Sequence, residues 1–217
     1  MRTIRVTGKS QIKVKPDMTR ITMYLEGVLP DYSDTLRKSA ADTEMLKNLL
    51  AGFGFERSDL KTMDFSIDAE YESYKDKGTY KQRFVGYKFH HLLKVDFESD
   101  NVRLGRVLSA LANAPVKPEI RISYTVKDQE TAKNELLGKA VSDAMKKASV
   151  LTEAANVALK EIQSIDYSWG EINFEVQPLN RMLVAKEDME DSSDYALNIQ
   201  PDDIEVSDTV TLVWEIV

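Results

Sequence analysis

The sequence predicts an α+β fold in which long antiparallel strands form a sheet and helices pack on it. Apolar and polar residues alternate over long stretches, which is typical of strands, and three other stretches repeat apolar or small residues every three or four positions, which is typical of helices. Along the chain these stretches give the order ββαββαβαββ. Strands that follow one another directly favour antiparallel pairs, whereas a doubly wound nucleotide fold places a helix between successive strands.

The composition excludes several classes of protein. The 217 residues include no cysteine, which excludes disulfide scaffolds, thiolate zinc sites, iron–sulfur clusters and cysteine nucleophiles. A net charge of −7 argues against nucleic acid as a partner, because phosphate binding needs clustered basic residues. The first residues contain no apolar signal-peptide core, and no stretch is apolar for long enough to span a membrane. We therefore expect a soluble, cytoplasmic protein, or a periplasmic or other extracytoplasmic one if the chain is a processed form.

The first half of the chain predicts two hairpins around a helix. The first thirty residues alternate on both sides of the Lys15-Pro16-Asp17 turn, and Gly8 is interpreted as a bulge in the first strand. Asp31 or Ser33 caps a helix that runs to about Phe53. The apolar stripe of that helix is predicted to consist of Leu36, Ala40, Thr43, Leu46, Leu50 and Phe53. The second hairpin combines a strand from Met63 to Tyr71 with a long strand whose buried face is predicted to carry Val85, Tyr87, Phe89, His91, Leu93, Val95 and Phe97.

The second half predicts a shorter series of elements. A helix from about Asn101 to Asn113 and a strand from Ile120 to Val126 precede the longest helix, about Gln129 to Asn156. The inner stripe of that helix consists mostly of small residues, which allow close packing: Ala132, Leu136, Ala140, Ala144, Ala148, Leu151 and Ala155. A strand at 162–169, a segment without periodicity at 170–200 and a closing strand at 204–216 follow. The whole forms either a single domain (1–217) or two subdomains (about 1–115 and 116–217).

The residues predict no catalytic, cofactor-binding or metal-binding site. His90 and His91 are adjacent in a strand, so their side chains point to opposite faces and do not share one metal ion. The acidic run at 186–194 lacks the ligand spacing of a calcium loop and is interpreted as a solvated loop.

Two groups of residues are candidate partner contacts. Tyr71, Tyr74 and Tyr80 cluster with Tyr87 around the tip of the second hairpin, and exposed aromatic residues at a turn are frequent in interfaces. The alternative is that these rings fold over their own sheet. The second group, Phe174, Met182 and Tyr195, lies in the 170–200 segment, which is long enough to suggest a functional or a disordered loop.

Several short motifs, taken in order, resemble the SIMPL-domain family. They are Ile4-Arg5-Val6-Thr7-Gly8 in the first strand, Val14-Lys15-Pro16-Asp17 in the turn, Gly86-Tyr87 in the long strand, and the helix segment 140–148 with the sequence AVSDAMKKA. The family's glycine after this helix is replaced by Asn156, which also adopts the left-handed conformation of a helix C-terminus.

The resemblance implies an α+β fold, no established enzymatic activity, no cofactor, and in some relatives a large ring-like or channel-like oligomer. We accordingly expect a non-enzymatic protein that acts by protein binding or self-assembly, with a role in stress tolerance that rests on the resemblance alone. The alternatives are a small-molecule binding protein or a hydrolase with a pocket near the 170–200 segment, or a scaffold whose partner is another protein.

Overall fold

The computed structural model describes residues 2–167, 172–177 and 199–217. Their elements are β1 (Arg2–Val14), β2 (Met18–Leu29), α1 (Tyr32–Ala51), β3 (Lys61–Asp76), β4 (Thr79–Glu98), α2 (Asn101–Ala112), β5 (Glu119–Thr125), α3 (Gln129–Ala154), β6 (Leu159–Tyr167), β7 (Glu175–Val176) and β8 (Ile204–Ile216). The predicted α+β class is confirmed, with 30% helix and 48% strand in two antiparallel sheets. The predicted order is also confirmed, except that the two-residue β7 lies in the segment predicted to be irregular.

The chain divides into two compact units built from segments that are not contiguous in sequence. Unit 1 comprises the described parts of residues 1–17, 125–176 and 201–217. Unit 2 comprises the described parts of residues 18–124 and 177–200. The two subdomains predicted from the sequence, about 1–115 and 116–217, were instead continuous segments. The sequence does not show that the two ends of the chain pair with each other, so it could not predict units that combine both ends.

The sheet of unit 1 has the strand order β1-β8-β6. β1 and β8 pair antiparallel along their whole length without a register shift, from Arg2 opposite Ile216 to Val14 opposite Ile204. The predicted hairpin of the first thirty residues is therefore wrong, because β1 pairs with the last strand of the chain and β2 pairs with β4. Alternation identified both strands correctly, but it carries no information about which strand is the partner.

Helix α3 packs on this sheet through its small residues. Ala132, Leu136, Ala140, Ala144 and Ala148 are buried as predicted, whereas Leu151 is half exposed and Ala155 is exposed. A β-carbon added to Gly8 would lie 2.0 Å from the Ala140 carbonyl oxygen and 2.5 Å from the Ala144 nitrogen. Gly8 is therefore a site of close approach between helix and strand, and the predicted bulge is wrong because the register is continuous there.

The ends of α3 follow the predicted chemistry. The Asp128 carboxylate accepts a hydrogen bond from the Thr131 amide at 2.9 Å and caps the first turn. Beyond the last turn Asn156 has φ = 57°, which confirms the predicted left-handed conformation. The Val157 amide then donates to the Thr152 carbonyl, which satisfies a carbonyl that the helix leaves free.

The four longer strands of the second sheet follow the order β3-β4-β2-β5. Alternate side chains of β2 and β4 are buried against α1 and α2, and the core of unit 2 includes Ile21, Met23, Leu46, Leu50, Phe89, Leu93, Val95, Leu104, Val107 and Leu111. Both helices have aspartate N-caps: the Asp31 carboxylate accepts from the Ser33 amide at 2.8 Å, and the Asp100 carboxylate accepts from the Val102 amide at 2.9 Å. Asp31, of the two predicted candidates, is the cap of α1.

The first half of α1 buries a different stripe from the predicted one. Leu36 is 46% exposed and Ala40 is exposed, while Thr35, Ser39 and Asp42 are buried. Only from Leu46 onward does the helix bury the predicted apolar residues. The polar stripe is tolerated because its groups have partners, including the Thr35 hydroxyl, which donates to the Asp31 carbonyl at 2.8 Å.

The long strand β4 changes its environment at Gly86. The register with β3 shifts there, since Glu70 lies opposite Gly86 whereas Tyr71 lies opposite Phe84. Phe89, Leu93, Val95 and Phe97 are buried, but Val85 is 39% exposed. The predicted single buried face from Val85 to Phe97 therefore begins only beyond this bulge, because an extra residue reverses the alternation.

Candidate functional site

His91 lies at the bottom of a groove between α1 and the β3–β4 pair, and its ring is surrounded by hydroxyl groups. The side chain is 8% exposed. Its Nδ1 lies 3.1 Å from the Ser39 hydroxyl and 3.3 Å from the Thr43 hydroxyl, both of α1. Its Nε2 lies 2.9 Å from the Thr62 hydroxyl of β3. Both ring nitrogens are therefore within hydrogen-bonding distance of a hydroxyl group.

The imidazole is neutral at pH 7. Burial lowers the pKa of His91 below its ordinary value of 6.5, and the nearby Lys47 ammonium lowers it further. A neutral imidazole has one N–H donor and one bare nitrogen that accepts. The ring therefore donates to the hydroxyl on one side and accepts from the hydroxyl on the other.

The walls of the groove are apolar. Leu36 and Ala40 of α1 form one wall, and Phe65 of β3, 40% exposed, forms the other. The Phe65 ring also meets the His91 ring edge-on, with centroids 5.0 Å apart. The groove has a volume of about 450 Å³, which lies within the range typical of small-molecule sites.

The rim of the groove is charged. Lys47 and Glu44 line it, with the Lys47 ammonium 3.6 Å from one Glu44 oxygen. The other Glu44 oxygen accepts from the Arg57 guanidinium, which holds the pKa of the Glu44 carboxyl below its ordinary value. Glu44 is thus ionised, and its charge is shared between Lys47 on the rim and Arg57, which does not line the groove.

His90 lies on the opposite face of β4, as predicted. Its ring stacks on Tyr24 of β2, with centroids 5.8 Å apart, and its Nδ1 is hydrogen-bonded to the Tyr24 hydroxyl. Within residues 2–167, 172–177 and 199–217, no group of three or more His, Asp or Glu side chains is arranged to hold a metal ion.

A second feature of unit 2 is an uncovered row of aromatic rings. β2 pairs with β4 only as far as Tyr87, so residues 70–86 form a two-stranded ribbon that extends past β2. On one face of this ribbon the rings of Tyr32, Tyr87, Phe84 and Tyr71 meet edge-on in succession, with centroids 5.3, 5.3 and 5.7 Å apart. We call this surface the aromatic face; Tyr80 lies on it by the strand alternation, nearer the tip.

The opposite face of the ribbon is charged and internally paired. The Arg83 guanidinium lies 2.5 Å from the Glu72 carboxylate, and the Lys81 ammonium lies 2.5 Å from the Asp76 carboxylate. Tyr74, opposite Lys81, shares this face. The ribbon is therefore amphipathic, and the predicted tyrosine cluster is divided between its two faces.

The other predicted partner contacts have different outcomes. Phe174 is 2% exposed and packs with Ile12, Val126 and Leu136 in the core of unit 1. The prediction that Phe174 contacts a partner is therefore corrected, because the ring is needed to fill that core. Met182, Tyr195 and the acidic run at 186–194 lie outside the described residues. Most of the predicted pocket near 170–200 also lies outside them.

Sequence reasoning missed the residues that build the groove. Ser39, Thr43 and Lys47 lie on α1 and Thr62 lies at the start of β3, all of them 29 residues or more before His91, and none forms a motif with it. One signal in the sequence could have indicated the groove. Polar residues recur at helical spacing on α1, and the strand that packs against this helix carries a buried histidine; the polar residues are Thr35, Ser39 and Asp42.

The helices of the described ranges include none that is both long enough and apolar enough to cross a membrane. A comparison with curated proteins finds no match. The sequence profile of the SIMPL family, described as a protein of unknown function (DUF541), matches residues 4–214. The match spans both units and nearly every described element, so the chain belongs to the SIMPL family.

Proposed function

We propose that this protein is a non-enzymatic SIMPL-family member that acts by self-assembly, and that copies of the chain meet through the aromatic face. The observation that supports the proposal most strongly is the exposure of that face. Tyr71 is 55% exposed, Phe84 47% and Tyr80 76%. Exposed aromatic rings of this kind, of which Tyr71 and Phe84 are in contact with each other, are typical of interaction sites.

The ribbon's architecture also supports an interface. A two-stranded ribbon is only marginally stable in water unless a third strand or another element packs on it. Among the described residues, β3 is the last strand in its sheet order, and α1 begins at Tyr32, beside Tyr87. The part of the ribbon beyond Tyr87 would gain most from a partner that covers its apolar side.

The local charge favours a second copy of this chain as the partner. Residues 70–86 contain three carboxylates and four basic residues, although the whole chain has a net charge of −7. Two ribbons that meet here avoid most of the repulsion between two acidic molecules. A two-fold axis would place the same aromatic residues on both sides of the contact, which is the usual arrangement in homodimers.

The experiment is a double substitution, Tyr71→Thr with Phe84→Thr. Threonine keeps the strand propensity and removes the aromatic surface. We expect the variant to have a native mass of 24.6 kDa, the mass of one chain, under conditions in which the wild type is an oligomer. Size-exclusion chromatography with light scattering measures the masses, and circular dichroism checks that the fold is kept.

The matched control is Ile162→Thr with Ile165→Thr on β6. Ile162 and Ile165 are 43% and 55% exposed, and among the described residues β6 is the last strand in the order of the unit 1 sheet. Both double substitutions therefore replace two exposed apolar side chains on strands by threonine. We expect the control to keep the wild-type mass. If the β6 variant dissociates and the ribbon variant does not, the aromatic face is not the assembly surface.

A role in stress tolerance belongs to the proposal only through the family resemblance. If assembly serves such a role, a strain without the protein will survive peroxide and heat less well than its parent, and the Tyr71→Thr/Phe84→Thr variant will not restore survival. Equal tolerance in the deletion strain and its parent would remove the stress role and leave the assembly proposal standing.

A further inference from the structure

The groove above His91 reverses the usual placement of polar and apolar residues. Along the first half of α1, the hydroxyls of Thr35 and Ser39 and the Asp42 carboxylate are buried, while Leu36 and Ala40 face solvent. Across the groove, Phe65 is also part-exposed. Local departures of this kind from the hydrophobic pattern are expected where a sequence serves binding as well as folding.

The polar floor has one donor more than it uses internally. If Nδ1 carries the proton, it donates to the Ser39 or Thr43 oxygen, Nε2 accepts from Thr62, and the Ser39 hydroxyl proton remains free. If Nε2 carries the proton, it donates to Thr62, Nδ1 accepts from Ser39, and the Thr62 hydroxyl proton remains free. The Thr43 hydroxyl donates to the Ser39 carbonyl at 2.8 Å in either case. With either tautomer the floor therefore offers a hydroxyl donor to an incoming acceptor.

The rim adds a cation to this donor. The Lys47 ammonium carries three N–H donors, and its ion pair with Glu44 is long at 3.6 Å. The Glu44 carboxylate is held on its other oxygen by Arg57, so it competes weakly for Lys47. A ligand that suits the groove is consequently an anionic acceptor with an apolar body that lies along Leu36, Ala40 and Phe65.

We propose that this groove binds a small monocarboxylic acid with an apolar tail. The carboxylate accepts hydrogen bonds from Lys47 and from a hydroxyl of the floor, and the tail covers the apolar walls. The volume of about 450 Å³ accommodates one such molecule. This site lies wholly within unit 2 and does not depend on the assembly proposed above.

The test uses labelled octanoate as the probe and equilibrium dialysis against the full chain as the measurement. We expect saturable binding of one octanoate per chain with a dissociation constant below about 1 mM. Octan-1-ol, which lacks the charge, should compete at least about tenfold more weakly, and octylamine, which reverses the charge, more weakly still. The absence of saturable binding below about 10 mM would overturn the proposal, as would octylamine competing as well as octan-1-ol.

Variants locate the site. Lys47→Gln should weaken octanoate binding at least about tenfold. This factor corresponds to the lower end of the free-energy range for losing a hydrogen bond to a charged group. Arg37→Gln is the matched control, because Arg37 is also on α1 and exposed but does not line the groove. Ala40→Phe, at an exposed helix position, should fill the groove and abolish binding without unfolding the chain. Equal binding by the wild type and Lys47→Gln, or retained binding by Ala40→Phe, would contradict the proposal.

The same experiment separates this proposal from the assembly proposal. Tyr71→Thr/Phe84→Thr removes apolar surface on the aromatic face but leaves every residue that lines the groove. We expect it to bind octanoate as the wild type does. If that variant alone lost binding, octanoate would be held by the aromatic face or at the assembly contact, and the groove would not be the site.

Discussion

Replacing Gly8 by alanine is expected to destabilise unit 1 by about 3 kcal/mol. The added β-carbon would lie 2.0 Å from the Ala140 carbonyl oxygen and 2.5 Å from the Ala144 nitrogen, and both are backbone atoms that no side-chain rotation can move away. Helix α3 must therefore shift off the sheet, which opens its contacts with Val6, Val210 and Leu212. Hydrogen exchange of the β1 and β8 amides measures the loss within unit 1.

Gly138→Ala is the matched control, since the same atom is added on α3 where nothing lies within 4 Å. In an exposed helix position alanine stabilises by about 0.5–1 kcal/mol relative to glycine, so the control should change the free energy of unfolding in the opposite direction. Unchanged hydrogen exchange in Gly8→Ala would mean that α3 does not lie against β1 as closely as described.

Replacing Gly86 by alanine is expected to destabilise unit 2, also by about 3 kcal/mol. Gly86 has φ = 156°, and a β-carbon there would lie 2.4 Å from the Leu29 carbonyl oxygen and 2.8 Å from its carbon. The substitution therefore forces β4 away from the end of β2, at the point where the two-stranded ribbon begins. Hydrogen exchange of the β2 and β4 amides measures this loss.

Gly78→Ala separates strain in the backbone from the close contact. Gly78 has φ = 89° in the turn of the ribbon, but nothing lies within 4 Å of an added β-carbon. We expect a loss of about 1 kcal/mol there, confined to the ribbon. A loss as large as that of Gly86→Ala would show that the contact with Leu29 is not the cause of the greater effect.

The sequence was sufficient to identify the elements because their patterns are local. The alternation of Ile21, Met23 and Leu25 and the spacing of Ala140, Ala144 and Ala148 are each read within a few residues, and all six are buried as predicted. The pairing of β1 with β8 joins residues about 200 positions apart, and nothing in either strand specifies the other. The assumption that neighbouring strands pair therefore produced the wrong hairpin.

The candidate site was less predictable than the fold. That His91 faces the interior followed from its position in the alternation, but its partners depend on the rotation of α1, which buries Ser39 and not Ala40. A hydrophobic pattern predicts the reverse, because it cannot anticipate hydroxyl groups that are satisfied by a buried imidazole. Likewise, Phe174 was predicted to be an exposed contact residue because it lies in a segment without periodicity. Its core neighbours in unit 1 are distant in sequence, so the sequence did not predict its burial.

The most direct test of self-assembly is the native mass of the wild-type protein. Size-exclusion chromatography with light scattering should be run at two protein concentrations and two salt concentrations. We predict a native mass of at least twice 24.6 kDa that does not change on dilution or with added salt. Salt should have little effect because the proposed contact is apolar and salt screens only charges. A mass of 24.6 kDa under all four conditions would contradict the proposed function.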